Sequence, residues 1–159
     1  MPNAKIRAVQ GFKFQPFSEK QMRVLNWWAK DSPVKDKFMC IADGSIRSGK
    51  SVVICLSFLL YVMGTFNQQN VAIGGKSVGS VRRNIVIPLK GMLITLGYDC
   101  VEHRSENYLE ITKGNVTNYF YLFGLKDSTS SDHIQGMTLA SVFVDSQKFV
   151  VLIGNYKYY

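Results

Sequence analysis

Apolar residues fall along this chain in blocks whose lengths indicate what each one builds. Phe38-Met39-Cys40-Ile41-Ala42 has the length of a buried strand, and Val52 to Met63, broken only by Ser57, has that of a buried helix. The alternation then repeats. Asn70-Val71-Ala72-Ile73-Gly74-Gly75 reads as a second buried strand, and Val78 to Leu96 as a helix that Pro88 is expected to bend. Three strand-like stretches follow, Tyr98 to Glu102, Tyr108 to Thr112 and Thr117 to Phe123, with Gly114-Asn115 as the turn between the last two. In the third, Thr117, Tyr119 and Tyr121 alternate with Asn118, Phe120 and Leu122, weakly, because both faces are apolar or aromatic. A final apolar strand, Leu139-Ala140-Ser141-Val142-Phe143-Val144, ends on Asp145.

Upstream, Ser18 and Gln21 stand three apart as in a capping box, and Met22, Leu25 and Trp28 or Ala29 recur at helical spacing. Residues 1–16 have no clear period and read as an extended lead-in. Asp31 to Lys37, polar and containing Pro33, and the Ser-rich Asp127 to Asp132 read as loops. Strands alternating with helices make this an α/β chain.

At 159 residues, 47% hydrophobic and 19% charged, the chain is one domain with a real core, which excludes a disordered tail or linker. The longest apolar run is too short to span a bilayer, and no signal-like leader opens the sequence, so a cytoplasmic protein is expected. Cys40, Cys55 and Cys100 lack metal or disulfide spacing and read as reduced thiols. Charge is uneven: residues 1–90 carry 14 Lys/Arg against 4 Asp/Glu, and residues 91–159 carry 5 against 7. The basic half permits contact with nucleic acid, although a solvated basic face explains it equally.

Between the first strand and the first long helix lies Gly44-Ser45-Ile46-Arg47-Ser48-Gly49-Lys50-Ser51. It fits the phosphate-loop pattern, in which two glycines let backbone N–H groups wrap a phosphate at a helix N-terminus. A chance match is expected in roughly 0.5% of chains this long, and the strand–loop–helix order is the context the motif requires. Lys50 would reach the outer phosphates and Ser51 would ligate Mg²⁺. Asp145, at the end of its apolar strand, has the form of the second metal-site acid of such folds. Lys76, Arg82 and Arg83 lie at or near the start of the second helix; a solvated face is the leading reading of each, although in motor ATPases an arginine from this general region can approach the γ-phosphate. Phe17-Ser18-Glu19-Lys20-Gln21 looks like an adenine-side motif, Phe17 packing on the base and Gln21 reading its edge. A helix cap with Phe17 in the core accounts for the same residues.

Together with Arg104-Ser105-Glu106-Asn107-Tyr108 and Ile134-Gln135-Gly136-Met137-Thr138, these segments resemble the N-terminal ATPase portion of a phage terminase large subunit of the PBSX-like kind, over about residues 12–145. The resemblance implies a P-loop NTPase of the additional-strand (ASCE) type, a three-layer α/β/α sandwich. It implies ATP and Mg²⁺ as cofactors, and double-stranded DNA, a small terminase subunit and a portal ring as partners. Arg47, inside the loop, becomes a candidate for stabilising transition-state charge beside Lys50 and Asp145.

Two departures qualify this. The family has a Glu after the terminal Asp, the base that orients the attacking water, and here Ser146 stands there; losing such a base commonly costs about 10²–10⁴ in rate. Residues 146–159 look unlike the family's continuation, so residues 17–145 are expected to be a partial ATPase domain with an incomplete sheet, no nuclease, and an exposed edge that invites self-association unless the tail covers it. A terminase fragment from a disrupted gene, with little or no turnover, is the leading expectation. A non-catalytic nucleotide- or DNA-binding remnant is second. A small P-loop kinase is disfavoured, since there is neither an arginine-rich lid nor an acceptor-site signature.

Overall fold

The structure, a computed structural model, describes residues 16–37, 39–43, 50–126, 136–146 and 149–153. In chain order its elements are α1 (Glu19–Leu25), β1 (Met39–Asp43), α2 (Lys50–Thr65), β2 (Asn70–Gly75), α3 (Val78–Val81), a π-helical turn (Arg82–Val86), α4 (Ile87–Thr95), β3 (Asp99–His103), β4 (Tyr108–Lys113), β5 (Val116–Gly124), β6 (Ser141–Asp145) and β7 (Phe149–Ile153). The seven strands form one sheet in the order β1-β7-β6-β2-β5-β4-β3. Strands β2, β5 and β6 run parallel, and β3–β4–β5 is an antiparallel meander. Strand β7 is antiparallel to both β1 and β6, so β1 points the same way as β2 and β6.

The register assigns each strand its two faces. Val71, Ile73, Phe120, Leu122, Leu109, Ile111 and Phe143 share one face and are all buried. Helix α2 lies on it. Phe58 meets Phe120 edge-on at 6.3 Å and Phe143 at 5.7 Å between centroids. Apolar residues surround α2 because it touches the sheet, α1 and α4 at once. The hydroxyl of Ser57, fully buried, satisfies itself against the carbonyls of Val24 and Leu25 at 2.8 and 2.9 Å, fastening the end of α1 to α2. Buried Asn118 binds the Phe66 carbonyl (2.9 Å) and accepts from the Gln69 N–H (3.0 Å), fixing the turn into β2. The opposite face carries His103 stacked on Tyr108 at 4.3 Å, with Tyr121 and Tyr119 beside them. The described helices thus supply one layer; a second layer of an α/β/α sandwich would have to come from outside the described residues.

Two elements differ from the sequence expectation. The strand leading into the phosphate loop was expected to be buried, yet β1 is an edge strand and Ile41 is 60% exposed. A short apolar run does not reveal its place in a sheet. The helix expected over 78–96 forms, but Pro88 does not simply bend it. A π turn precedes the proline, where the Ile87 N–H reaches back five residues to the Arg82 carbonyl, and the wider turn absorbs the clash a proline ring makes with the preceding turn of an α-helix. The tail, whose role the sequence left open, contributes β7 between β1 and β6 rather than on an outer edge. Residues 1–15 of the expected lead-in (1–16), and the Ser-rich loop (127–132), lie outside the described residues.

Candidate functional site at the carboxyl rim of the sheet

Because β1, β2, β5 and β6 run the same way, their carboxyl ends share one rim, where open α/β sheets bind ligands. Asp43 ends β1, Gly75 ends β2, Gly124 ends β5 and Asp145 ends β6. The hairpin turn between β3 and β4, residues 104–107, falls on the same rim, since Tyr108 pairs with Tyr121 near the end of β5.

Helix α2 starts at this rim. It is 16 residues long with no acid in its first turn, and its N-terminal N–H groups and the positive end of its dipole face the rim. Lys50 is its first residue, and Ser51 is half-buried one position on. Gly44 to Gly49, including Arg47, lie outside the described residues. Asp145 follows the inward Ser141 and Phe143 at a spacing of two, so its side chain takes the face that α2 covers. An electrostatic sign agrees. Burial, and then the charge of Asp145, push the thiol of Cys55 far above its ordinary value, and Cys55 lies four residues after Ser51 on the same face of α2. The end of β6 and the first turns of α2 therefore lie at one rim and on one face of the sheet. Ala42 and Asp145 both pair with Val150 of β7, which sets the loop strand and the acid strand about 10 Å apart.

The residues expected on the adenine side, Phe17 and Gln21, lie just before and within α1. Val24 and Leu25 meet Ser57, and the ring of Trp28 lies within 3.7 Å of where a Cβ on Gly64 would be, so α1 runs alongside α2 in the same direction. Phe17, half-buried against the core, falls about 12 Å back, near the first turn of α2. Gln21 is in a capping box: its Oε1 accepts from the Ser18 N–H at 2.9 Å, and its own N–H donates to Ser18 Oγ at 3.3 Å.

Of the rim cations, Arg82 is held. Its Nε donates to Glu102 at 3.0 Å, and its Nη2 to Asn107 Oδ1 at 2.8 Å and the Arg104 carbonyl at 3.2 Å. Glu102 also binds Lys90 at 2.9 Å and Arg104 at 3.4 Å. Burial opposes the Glu102 charge, but the hydrogen bond and charge of Lys90, with Arg104 and Arg82, outweigh it and hold the carboxyl below its ordinary value. Arg82 thus ties the π turn to the β3–β4 hairpin. Arg83 and Lys76 are exposed, and Arg83 folds back towards Gly79 at the start of α3. Nothing in the sequence marked Glu102, because its partners come from three separate elements.

No protein-family profile matches the chain, and no curated protein matches it. Solved structures do. The large terminase of a thermophilic bacteriophage is 55% identical over 82% of this chain, with a TM-score of 0.80. The chain belongs to the phage large terminase family. Two further structures of that phage protein, in complex with ADP and with ATP-gamma-S, are 53% and 52% identical over 82% of the chain, with TM-scores of 0.76 and 0.74. The fold is that of an α/β P-loop NTPase. This terminase chain spans 31–32% of the length of those relatives. Among its described residues no group of three or more His, Cys, Asp or Glu side chains could hold a metal, and no helix is long and apolar enough to cross a membrane.

Proposed function

We propose that this chain is the ATP-binding part of a DNA-packaging motor, holding Mg²⁺-nucleotide at the carboxyl rim. The observation that carries this reading is the shared corner of α2's first turn and Asp145, on one face and one rim of the sheet. The phage terminase structures in complex with ADP and ATP-gamma-S support it.

In this reading the backbone of Gly44 to Gly49 cradles the phosphates and Lys50 neutralises the outer ones, with Arg47 placed to meet charge developing on the γ-phosphate. Phe17 and Gln21 flank the base. The Ser51 hydroxyl and Asp145 carboxylate are oxygen donors of the kind that suit Mg²⁺, which takes a few protein ligands and completes its shell with phosphate and water. When bound, the ion would neutralise charge on the β- and γ-phosphates. Ser146, half-buried directly after Asp145, is too weak a base at neutral pH to draw a proton from attacking water. Turnover is therefore slow or absent. Double-stranded DNA, a small terminase subunit and a portal are the partners this reading assigns, within the cytoplasm of a bacterial host.

Ser146 also supports a second reading, a nucleotide- or DNA-binding chain without catalysis, whose signature is salt-dependent DNA affinity without turnover. Binding and hydrolysis of Mg²⁺-ATP by the chain, beside Lys50→Ala and Ser146→Glu, separate the two. Binding lost in Lys50→Ala with hydrolysis gained in Ser146→Glu supports the motor part. Binding without any gain in Ser146→Glu supports the second reading, and no binding at all removes both.

A further inference from the structure

We propose that the outer edge of β1 is a self-association surface, on which β1 of a second copy of this chain pairs antiparallel about a two-fold axis through Ile41. The inference does not depend on the nucleotide reading.

Backbone groups define the surface. Among the described residues β1 bonds to β7 alone, and in an antiparallel ladder every second residue turns its N–H and C=O away from its partner strand. Two or three of the five residues of β1 therefore present donors and acceptors that no described strand takes up. An extended segment is what such an edge accepts. Because β7 inserts between β1 and β6, the tail leaves this edge open instead of covering it.

The sheet has a second edge, and the two are built differently. Strand β3 carries Asp99, Glu102 and His103 among its five residues, and Glu102 is pinned by Arg82, Lys90 and Arg104. Charges on an edge deter a foreign strand. Strand β1 runs through Met39, Cys40, Ile41 and Ala42 before its first charge at Asp43. Cys40 and Ala42 pack towards the core, so Met39 and Ile41 take the other face, where they are 37% and 60% exposed. Over these four residues no charge repels a strand laid alongside.

The fit of β1 to itself selects a second copy as the occupant. Paired antiparallel about Ile41, the strand matches itself from end to end, with Ile41 set opposite Ile41, Cys40 opposite Ala42 and Met39 opposite Asp43. The centre joins two branched side chains whose Cβ atoms stand about 4.5–5.5 Å apart. At each end Asp43 of one copy lies across from Met39 of the other, with exposed Lys37 two positions beyond, a diagonal that long side chains span. The two-fold axis repeats this opposite-charge pair at both ends. Such a contact closes at two copies, whereas β1 against β3 would run head to tail and stay open-ended. Rotation about an axis normal to the sheet keeps the helix-bearing faces on one side and turns the two carboxyl rims to opposite ends, so both rims lie outside the contact. A ladder of five residues is small beside the surface that a tight complex buries, and a weak dimer is expected, with a Kd between about 1 µM and 1 mM.

Sedimentation velocity of the whole chain across that range of concentration tests the proposal. The wild type should pass from monomer to dimer and stop there. Ile41→Lys, at a position too exposed to disturb the core, should weaken association at least tenfold while its circular dichroism and unfolding midpoint are retained. Val101→Lys, on β3 and 54% exposed, should leave association within twofold of wild type. The register is read separately: Ile41→Cys, combined with Cys40→Ala and Cys100→Ala, should be joined 41 to 41 by a short bis-maleimide, as mapped by mass spectrometry. A wild type that stays monomeric, a dimer equally strong in Ile41→Lys, growth beyond two copies, or a dimer without the 41 to 41 link each overturns the proposal. If Ile41→Lys loses its fold, the cross-link decides.

Discussion

Gly75 and Val81 are so close that a Cβ on the glycine would lie 2.6 Å from Val81 Cγ2. Both sit where β2 turns into α3 at the rim, and the Asp145 carbonyl is 3.7 Å from the same point. Val81 is fully buried, so a methyl group here must push α3 off the end of β2 beside Asp145. Gly75→Ala is expected to cost about 1–3 kcal/mol, read by denaturant unfolding. The Gly75→Ala, Val81→Ala double variant should recover part of that loss, because the second change removes the atom in conflict. Additive losses would place the cost elsewhere.

Glu102 should make stability depend on acid. Its carboxyl is held below its ordinary value in the fold, so its contribution is fully present above the ordinary carboxylate range, about pH 4.3, and is lost as pH falls through the lower folded value. Glu102→Gln leaves Arg82, Lys90 and Arg104 facing one another without their shared anion. The side chain is 10% exposed but its partners are more so, and the expected loss at pH 7 is about 1–3 kcal/mol. Unfolding curves of the variant and the wild type should converge once the pH is below the folded value. A gap that persists there would point to lost packing instead of lost charge.

The sequence made most of this fold legible because its signals are local. The run from Asn70 to Gly75 ends where β2 ends, whereas the alternation in β5 was too weak to say that Asn118, Phe120 and Leu122 are its buried face. Ser18 and Gln21 form the capping box their spacing implies. What was not legible depends on distant partners. The edge position of β1 is set by strand order, and the insertion of β7 by pairing on both sides. Of the candidate site, the end of β6 that carries Asp145 and the start of α2 that carries Ser51 lie at the same rim of the sheet. Arg82, plausible as a free cation near a phosphate, is instead engaged by Glu102 from 20 residues away, a partnership no motif announces.

The two readings of Gln21 can be separated, because a glutamate keeps the cap and loses the amide. In the capping box the Gln21 side chain needs only an acceptor oxygen for the Ser18 N–H, and Glu serves as well as Gln at that position. Gln21→Glu should leave unfolding free energy within about 0.5 kcal/mol of wild type, whereas Gln21→Ala or Ser18→Ala should cost about 0.5–2 kcal/mol. If Gln21 also reads the N6/N7 edge of adenine, Gln21→Glu should lower the affinity for ATP more than that for GTP, since on that edge adenine matches an amide's donor and acceptor together whereas guanine presents two acceptors. Competition binding with both nucleotides gives the answer, and an unchanged ratio would leave Gln21 as a cap alone.

Cys55 can report whether nucleotide tightens the corner between α2 and β6. It is fully buried, and burial together with the Asp145 charge disfavours its thiolate, the form that reacts with alkylating reagents. Cys40 and Cys100 are half-buried, and burial raises their thiols as well. In the native chain at pH 8, Cys40 and Cys100 are therefore expected to be alkylated slowly, and Cys55 only when α2 lifts from the sheet; all three should react at once in denaturant. A ligand that bridges Ser51 and Asp145 favours the closed form by mass action, so Mg²⁺-ATP at 100 times its Kd should slow Cys55 labelling by roughly 100-fold if opening releases the ligand. Asp145→Asn should abolish most of that protection, although it also removes the nearby charge and so makes the thiol slightly easier to ionise. Mass spectrometry of each cysteine over time makes the comparison. Protection of Cys55 that is equal in Asp145→Asn and wild type would mean that nucleotide holds α2 through the loop alone.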